Sequence, residues 1–248
     1  MAVRELHDGW TVEALEGKAP TDVRAAAPIP ATVPGTVHTD LLAAGLIEDP
    51  YLDDNERLQA WIGSTSWRYS TSFEWQGDGF DHTDLVFDGL DTLAVVRLNG
   101  REILSSRNQH RSFRVPVREL LLEGSNALVV DFEAPIPAAD RASEQLGARP
   151  HANHHPYNAI RKMASGFGWD WGIDTATSGI WRAVRLESWS IARISGLRAV
   201  PRIEGTDGVV TVTVEVEGAA AVRASIGAAS STAPGGELTL RVPEVERW

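Results

Sequence analysis

Apolar and polar residues alternate along much of this 248-residue chain, which is the period of strands with one buried and one wet face. The run from 67 to 75 shows it best. Trp67, Tyr69, Thr71, Phe73 and Trp75 fall on one face, and Arg68, Ser70, Ser72 and Glu74 on the other. The same pattern predicts strands over 84–87 and 92–98, a tight hairpin turn at Asn99-Gly100, and a returning strand over 101–105. Further strands are predicted over 111–117, over 126–133, where Leu128, Val130 and Phe132 share a face, and over 180–188. Many short strands separated by turn residues predict a β-sandwich rather than a parallel α/β sheet.

Two stretches break the alternation. After the Val33-Pro34-Gly35 turn, Thr36 is placed to cap a helix running through Asp40, Leu41 and Leu42, with Gly45 as its stop. From 135 to 166 the chain carries Pro135, Pro137, Pro150 and Pro156 and has no strand period, and only 138–146 predicts a short helix. A long irregular insertion in a β domain is commonly functional, since the sheet holds it while its side chains stay free to meet a ligand.

A second unit is expected from about Ile191, with strands over 194–202, 208–216, 220–226 and 237–242. An immunoglobulin-like sandwich has about seven strands, so this unit is expected to be cut short with an open edge. The expected organisation is therefore one domain over 1–190 and a partial one over 191–248.

Composition narrows the classes of function. The 34 acidic and 23 basic residues give a formal charge of -11 spread along the chain, which argues against a phosphate-neutralising surface for nucleic acid. With no cysteine there is neither a disulfide nor a thiolate metal site, in keeping with a reducing compartment. The start has no basic segment followed by an apolar one, and no apolar run is long enough to cross a bilayer. A cytoplasmic protein without a membrane span is expected, unless a leader has been removed.

The chemistry concentrates in Phe167-Gly168-Trp169-Asp170-Trp171-Gly172, at the end of the irregular insertion. Three aromatic rings around one carboxylate suit a pyranose. Indole planes cover its C–H faces, and an ionised carboxylate accepts from two of its hydroxyls. The same residues also read as core filler with an N-capping Asp, and the residues alone leave both readings open. Nine Trp against three Tyr and six Phe lean towards carbohydrate.

Other candidates are weaker. His151, His154 and His155 read as loop histidines rather than a metal site, because a zinc site needs three or four ligands in fixed geometry. No Gly-x-Ser-x-Gly elbow, phosphate loop or dinucleotide fingerprint is present. Arg161 and Lys162 are expected either to pair with Asp170 or nearby acids, or to be ordinary surface cations. In Gly179-Ile-Trp-Arg182, Trp181 is expected to pack on the sandwich and Arg182 to satisfy carbonyls or a carboxylate behind the site. No cofactor and no metal are expected.

Beyond single residues, a series of motifs resembles the amino-terminal part of β-mannosidases in family 2 of the glycoside hydrolases. The series runs through Val33-Pro-Gly-Thr-Val-His38, Leu41-Leu42, Gly45-Leu-Ile47, Asp49-Pro50, Asp54-Asn-Glu56, Gly89-Leu-Asp91 and Leu98-Asn-Gly100. It continues with His154-His-Pro-Tyr-Asn-Ala-Ile-Arg-Lys162, the aromatic hexapeptide and Gly179-Ile-Trp-Arg182. The resemblance covers roughly residues 5–217.

The resemblance implies a jelly-roll, galactose-binding-domain-like sandwich, then an immunoglobulin-like sandwich, then a catalytic (β/α)₈ barrel and further β domains. It implies removal of terminal β-D-mannose with retention, by two barrel glutamates. This chain stops short of them, so it is expected to be inactive alone and to pack against that barrel in the complete enzyme. By the same resemblance Trp169, Asp170 and Trp171 form one wall of the mannose pocket, with Asp170 accepting from sugar hydroxyls. Glu56, in an Asn-Glu pair far upstream of any barrel, is not expected to be catalytic. A free-standing carbohydrate-binding module, and a β-galactosidase- or β-glucuronidase-type member of the same family, are the competing readings. The Trp-Asp-Trp sequence argues against the last.

Overall fold

The structure is a computed structural model that describes residues 1–147, 149–169 and 172–246. It divides into two compact units, one built from 2–79 and 83–187, the other from 80–82 and 188 onward together with Met1.

Among the described residues the first unit contains twelve strands. They are β1 (Ala2–Glu5), β2 (Thr11–Gly17), β3 (Ile29–Pro30), β4 (Thr65–Trp75), β5 (His82–Phe87), β6 (Leu93–Leu98), β7 (Arg101–Arg107), β8 (Phe113–Pro116), β9 (Gly124–Phe132), β10 (Phe167–Trp169), β11 (Gly172–Asp174) and β12 (Val184–Trp189). A six-stranded sheet has the order β3-β2-β4-β9-β6-β7, and a four-stranded sheet has the order β1-β12-β5-β8. Between them lies a core that includes Trp67, Tyr69, Leu85, Phe87, Leu98, Leu128 and Phe132, all buried. Strand β4 supplies its spine as the alternation predicts, with Trp67, Tyr69, Thr71, Phe73 and Trp75 buried and Arg68 and Ser70 only partly so. On the outer face Arg68 grips Asp131 through Nε at 2.6 Å and Nη2 at 3.0 Å. This is the jelly-roll sandwich.

Two local signals are realised. Asn99 and Gly100 have φ of 52° and 79°, the positive pair a two-residue hairpin between β6 and β7 requires. The predicted helix, α2 (Val37–Ala43), follows α1 (Thr21–Ala25) and carries a reciprocal capping box: Thr36 N–H donates to Thr39 Oγ1 at 3.0 Å, and Thr39 N–H to Thr36 Oγ1 at 3.4 Å. Its buried Asp40 accepts from the Tyr69 hydroxyl at 2.6 Å and the Thr32 amide at 2.8 Å, tying the helix to the core. Burial raises the Asp40 carboxyl against the pull of those two donors. A one-turn α3 (Asn55–Leu58) and a longer α4 (Pro135–Leu146) follow; α4 begins three residues before the expected start because Pro135 is tolerated in a first turn.

Among the described residues the second unit has five strands where four are expected: β13 (Ala192–Glu204), β14 (Asp207–Gly218), β15 (Val222–Ile226), β16 (Ala229–Ala233) and β17 (Gly236–Val242). They form a three-stranded sheet, β13-β14-β17, and a hairpin, β15-β16, in an immunoglobulin-like arrangement. Val212, Val214, Val222, Leu238 and Leu240 make its core. Among the described residues no helix is long and apolar enough to cross a membrane.

Candidate functional site

The irregular insertion ends in a short antiparallel pair. Strands β10 and β11 lie side by side with Phe167 opposite Asp174 and Trp169 opposite Gly172. Asp170 and Trp171, two of the three predicted sugar contacts, lie outside the described residues, and of Trp169 only the backbone is described. Gly168 has φ of +76°, and a Cβ there would stand 3.3 Å from that of Asp174, so this strand needs glycine on two counts.

Phe167 corrects the expectation of three rings around one acid. It is 1% exposed and forms a small satellite core with Ile136 and Ala176, with Tyr157 and Ile160 packed against it, 6.4 Å from the Tyr157 ring. Its ring belongs to the packing that seats the pair, and the residue also borders the adjoining cleft. Asn153 adds directional grip, donating through Nδ2 to the carbonyls of Phe167 at 2.8 Å and Gly168 at 2.7 Å. From the other side the Asp174 amide donates to Glu56 Oε2 at 3.1 Å.

Beside this pair opens a cleft of about 510 Å³ lined by Glu56, Asn153, His154, Gly168, Gly172 and Asp174. It brings two carboxylates and a histidine from three distant segments to the margin of the aromatic hexapeptide. Burial raises the Asp174 carboxyl, and the charge of Glu56 adds to the rise, while His155 and His154 oppose it. Carboxylates, an imidazole and backbone polar groups around a cleft of this size suit hydroxyl-rich ligands. Among the described residues no group of three or more His, Cys, Asp or Glu stands where one metal ion could be held. His151 Nδ1 is 2.7 Å from the Asn153 carbonyl, and His155 lies 3.7 Å from Asp140.

Of the two expectations for Lys162, the surface cation is overturned: the residue is buried and bound to Asp91. A pairing with Asp170 lies outside the described residues. Burial lowers its ammonium from the ordinary range, and Asp91 opposes that. Arg161 is exposed, as a surface cation would be. Trp181 lies close against Gly89 and donates from Nε1 to the Gln109 carbonyl at 3.2 Å. Arg182 stacks on that indole at 4.2 Å, and the following strand starts at Val184 rather than 180.

The described residues define a jelly-roll sandwich with a cleft beside the β10–β11 pair, and comparison with known proteins gives its family. A family described as glycosyl hydrolase 2 galactose-binding domain-like matches residues 10–182, and the chain belongs to it. It is 32% identical over 234 residues to a β-mannosidase of Rattus norvegicus, covering 88% of this chain and 25% of that protein. To β-mannosidase B of Aspergillus fumigatus it is 37% identical over 222 residues, covering 86% of this chain and 25% of the relative. The chain thus spans about a quarter of the length of these relatives. Among solved structures, β-D-mannosidase from Dictyoglomus thermophilum superposes with a TM-score of 0.81 at 27% identity, over 98% of this chain and 31% of that one. Exo-chitosanase CsxA from Amycolatopsis orientalis superposes at 0.66 with 16% identity and shares the fold.

Proposed function

We propose that this chain is the non-catalytic amino-terminal part of a retaining exo-β-mannosidase, which removes terminal β-D-mannose from the non-reducing ends of mannosides. The observation that carries the reading is similarity over most of the chain to β-mannosidases of which it spans only a quarter. Retention needs two carboxyls about 5 Å apart, one nucleophile and one acid/base. By family resemblance both are glutamates of a barrel that is not among these 248 residues. Glu56 fits a holding role instead, since its carboxylate accepts a backbone amide from Asp174.

Within this reading Trp169, Asp170 and Trp171 form one wall of the mannose pocket, completed by packing of residues 1–190 against the barrel, with 191–248 as a second domain. Asp170 accepts from hydroxyls of the terminal sugar, and the two indoles cover its apolar faces. A cytoplasmic setting accords with the absence of cysteine.

Release of nitrophenol from a β-mannoside chromophore tests the division of labour. The 248-residue chain is expected to match a buffer blank and the complete polypeptide to turn over; turnover by this chain would sink the reading. In the complete enzyme Asp170→Ala is expected to lower kcat/KM by about a hundredfold or more, the loss of two hydrogen bonds to a charged group, with little change in stability. Near-normal kinetics would remove Asp170 from the pocket. Titration of this chain with mannose is expected to give millimolar binding at best, because one wall gains little from a small sugar; a micromolar constant would instead mark a free-standing module.

A further inference from the structure

The aromatic hairpin is joined to the sandwich at two points, and both converge on one carboxylate. Lys162 and Asp91 have side chains 0% and 1% exposed. The Lys162 ammonium donates to Asp91 Oδ1 at 2.5 Å and Oδ2 at 2.6 Å, and across to the Thr177 carbonyl at 2.7 Å. Thr177 Oγ1 donates to Asp91 Oδ2 at 2.7 Å, and Thr92 Oγ1 to Oδ1 at 2.5 Å. Lys162 is the residue before the segment 163–176, and Thr177 the residue after it. Two more bonds keep this junction in register: the Asp91 amide donates to the Gly179 carbonyl at 3.0 Å, and the Met163 amide to Gln109 Oε1 at 2.8 Å.

We propose that the buried Asp91–Lys162–Thr177 cluster is a positioning clamp: a single carboxylate fixed in the sandwich grips both stems of residues 163–176 and thereby sets where the hexapeptide stands. The chemistry of the cluster favours this over a simple contribution to stability. A buried ion pair loses solvation and gains little net stability over an apolar pair of similar volume, yet it tolerates only one geometry. Apolar contacts such as those of Phe167 allow sliding; four directional bonds to two carboxylate oxygens do not. The functional weight of the clamp rests on the hexapeptide being part of the sugar pocket, whereas its mechanical action does not.

Hydrogen exchange read by mass spectrometry on the 248-residue chain separates these points. In Lys162→Met, amides within 163–176 are expected to exchange about tenfold faster or more, while peptides from β4 and β9 keep their protection. The double variant Asp91→Leu/Lys162→Met, which restores an uncharged pair, is expected to recover the melting temperature and leave the hairpin fast. A purely structural pair would recover both, and that result overturns the clamp. Should Lys162→Met not fold, Thr177→Val removes one stem's hydroxyl bond alone and is expected to speed the same amides several-fold. Unchanged hairpin exchange in both single variants, or a rise that appears only together with β4 and β9, also overturns it. The kinetics of Asp170→Ala in the complete polypeptide provide the separate arm. If the hairpin responds to the substitutions in exchange but Asp170→Ala keeps near-normal kcat/KM, the clamp stands and the pocket reading falls.

Discussion

The two units are written in the same period-two pattern but bury it to different depths. In the first, β4 and β9 are each covered along one full face, and Trp67, Tyr69, Phe87 and Phe132 pack in a core many side chains deep. In the second, Val212, Val214, Val222, Leu238 and Leu240 make a small core without one aromatic ring. The register of β13 on β14 places Leu197 opposite Val214 and Ile194 opposite Val216, on the side of that core, yet within this unit they are 66% and 56% exposed. Alternation therefore specifies which face is apolar, and only the elements laid over that face decide how much stability it yields. At roughly 25 cal/mol per Å² of apolar surface removed from water, an uncovered row contributes almost nothing.

The largest expected effect breaks the symmetry directly. Trp67→Ala, at a side chain with no exposure, is expected to cost about 3–5 kcal/mol, whereas Leu238→Ala in the smaller core falls at the lower end of about 2–5 kcal/mol. Denaturant unfolding followed by circular dichroism and by tryptophan emission distinguishes the two substitutions. The first should shift the transition reported by the buried indoles and leave the other in place. A single cooperative transition moved equally by both would show that the units do not unfold separately.

Much of this contrast was legible in the chain, and the reasons for what was not are physical. Strand β4, the Asn99-Gly100 turn and the Thr36 cap each follow from local stereochemistry or a period that a single segment displays. Strand β16, Ala-Ser-Ser-Thr-Ala, has no apolar period and exists because β15 offers it a ladder. The two-residue β3 is held in the same way by β2. The hexapeptide was visible as composition, but its supports were not. Asn153 and Glu56 act by hydrogen bonds to backbone atoms 14 or more residues away, and such bonds leave no spacing to read. The surface alternative for Lys162 failed because charged residues are mostly exposed unless paired, and its partner Asp91 lies 71 residues upstream.

A second prediction sharpens the comparison through pH, since the first unit buries a titratable base closely. His38 lies in the capped helix with Nδ1 buried and unpartnered, and burial, aided by the nearby Lys162 charge, lowers its pKa from 6.5 to about 4. The folded state holds this imidazole neutral while the unfolded chain protonates it first. Its stabilising contribution is complete above pH 6.5 and is lost as pH falls towards about 4, to the extent of about 3 kcal/mol. His38→Gln should flatten that part of the stability profile of the first unit. An unaltered acid slope in the variant would assign the loss to other groups.

The smallest expected effect lies on the uncovered row of β13. Leu197→Thr removes an apolar side chain that already meets water and keeps β propensity, so it should change unfolding free energy by no more than about 0.5 kcal/mol. It should nevertheless lower the tendency of the chain to associate, because Ile194 and Leu197 form an exposed apolar row on an edge strand, which can pair with another chain. Sedimentation velocity across a concentration series measures this. If Leu197→Thr destabilised the second unit by several kcal/mol, then Leu197 would be part of a core after all, and the difference in depth between the two units would shrink accordingly.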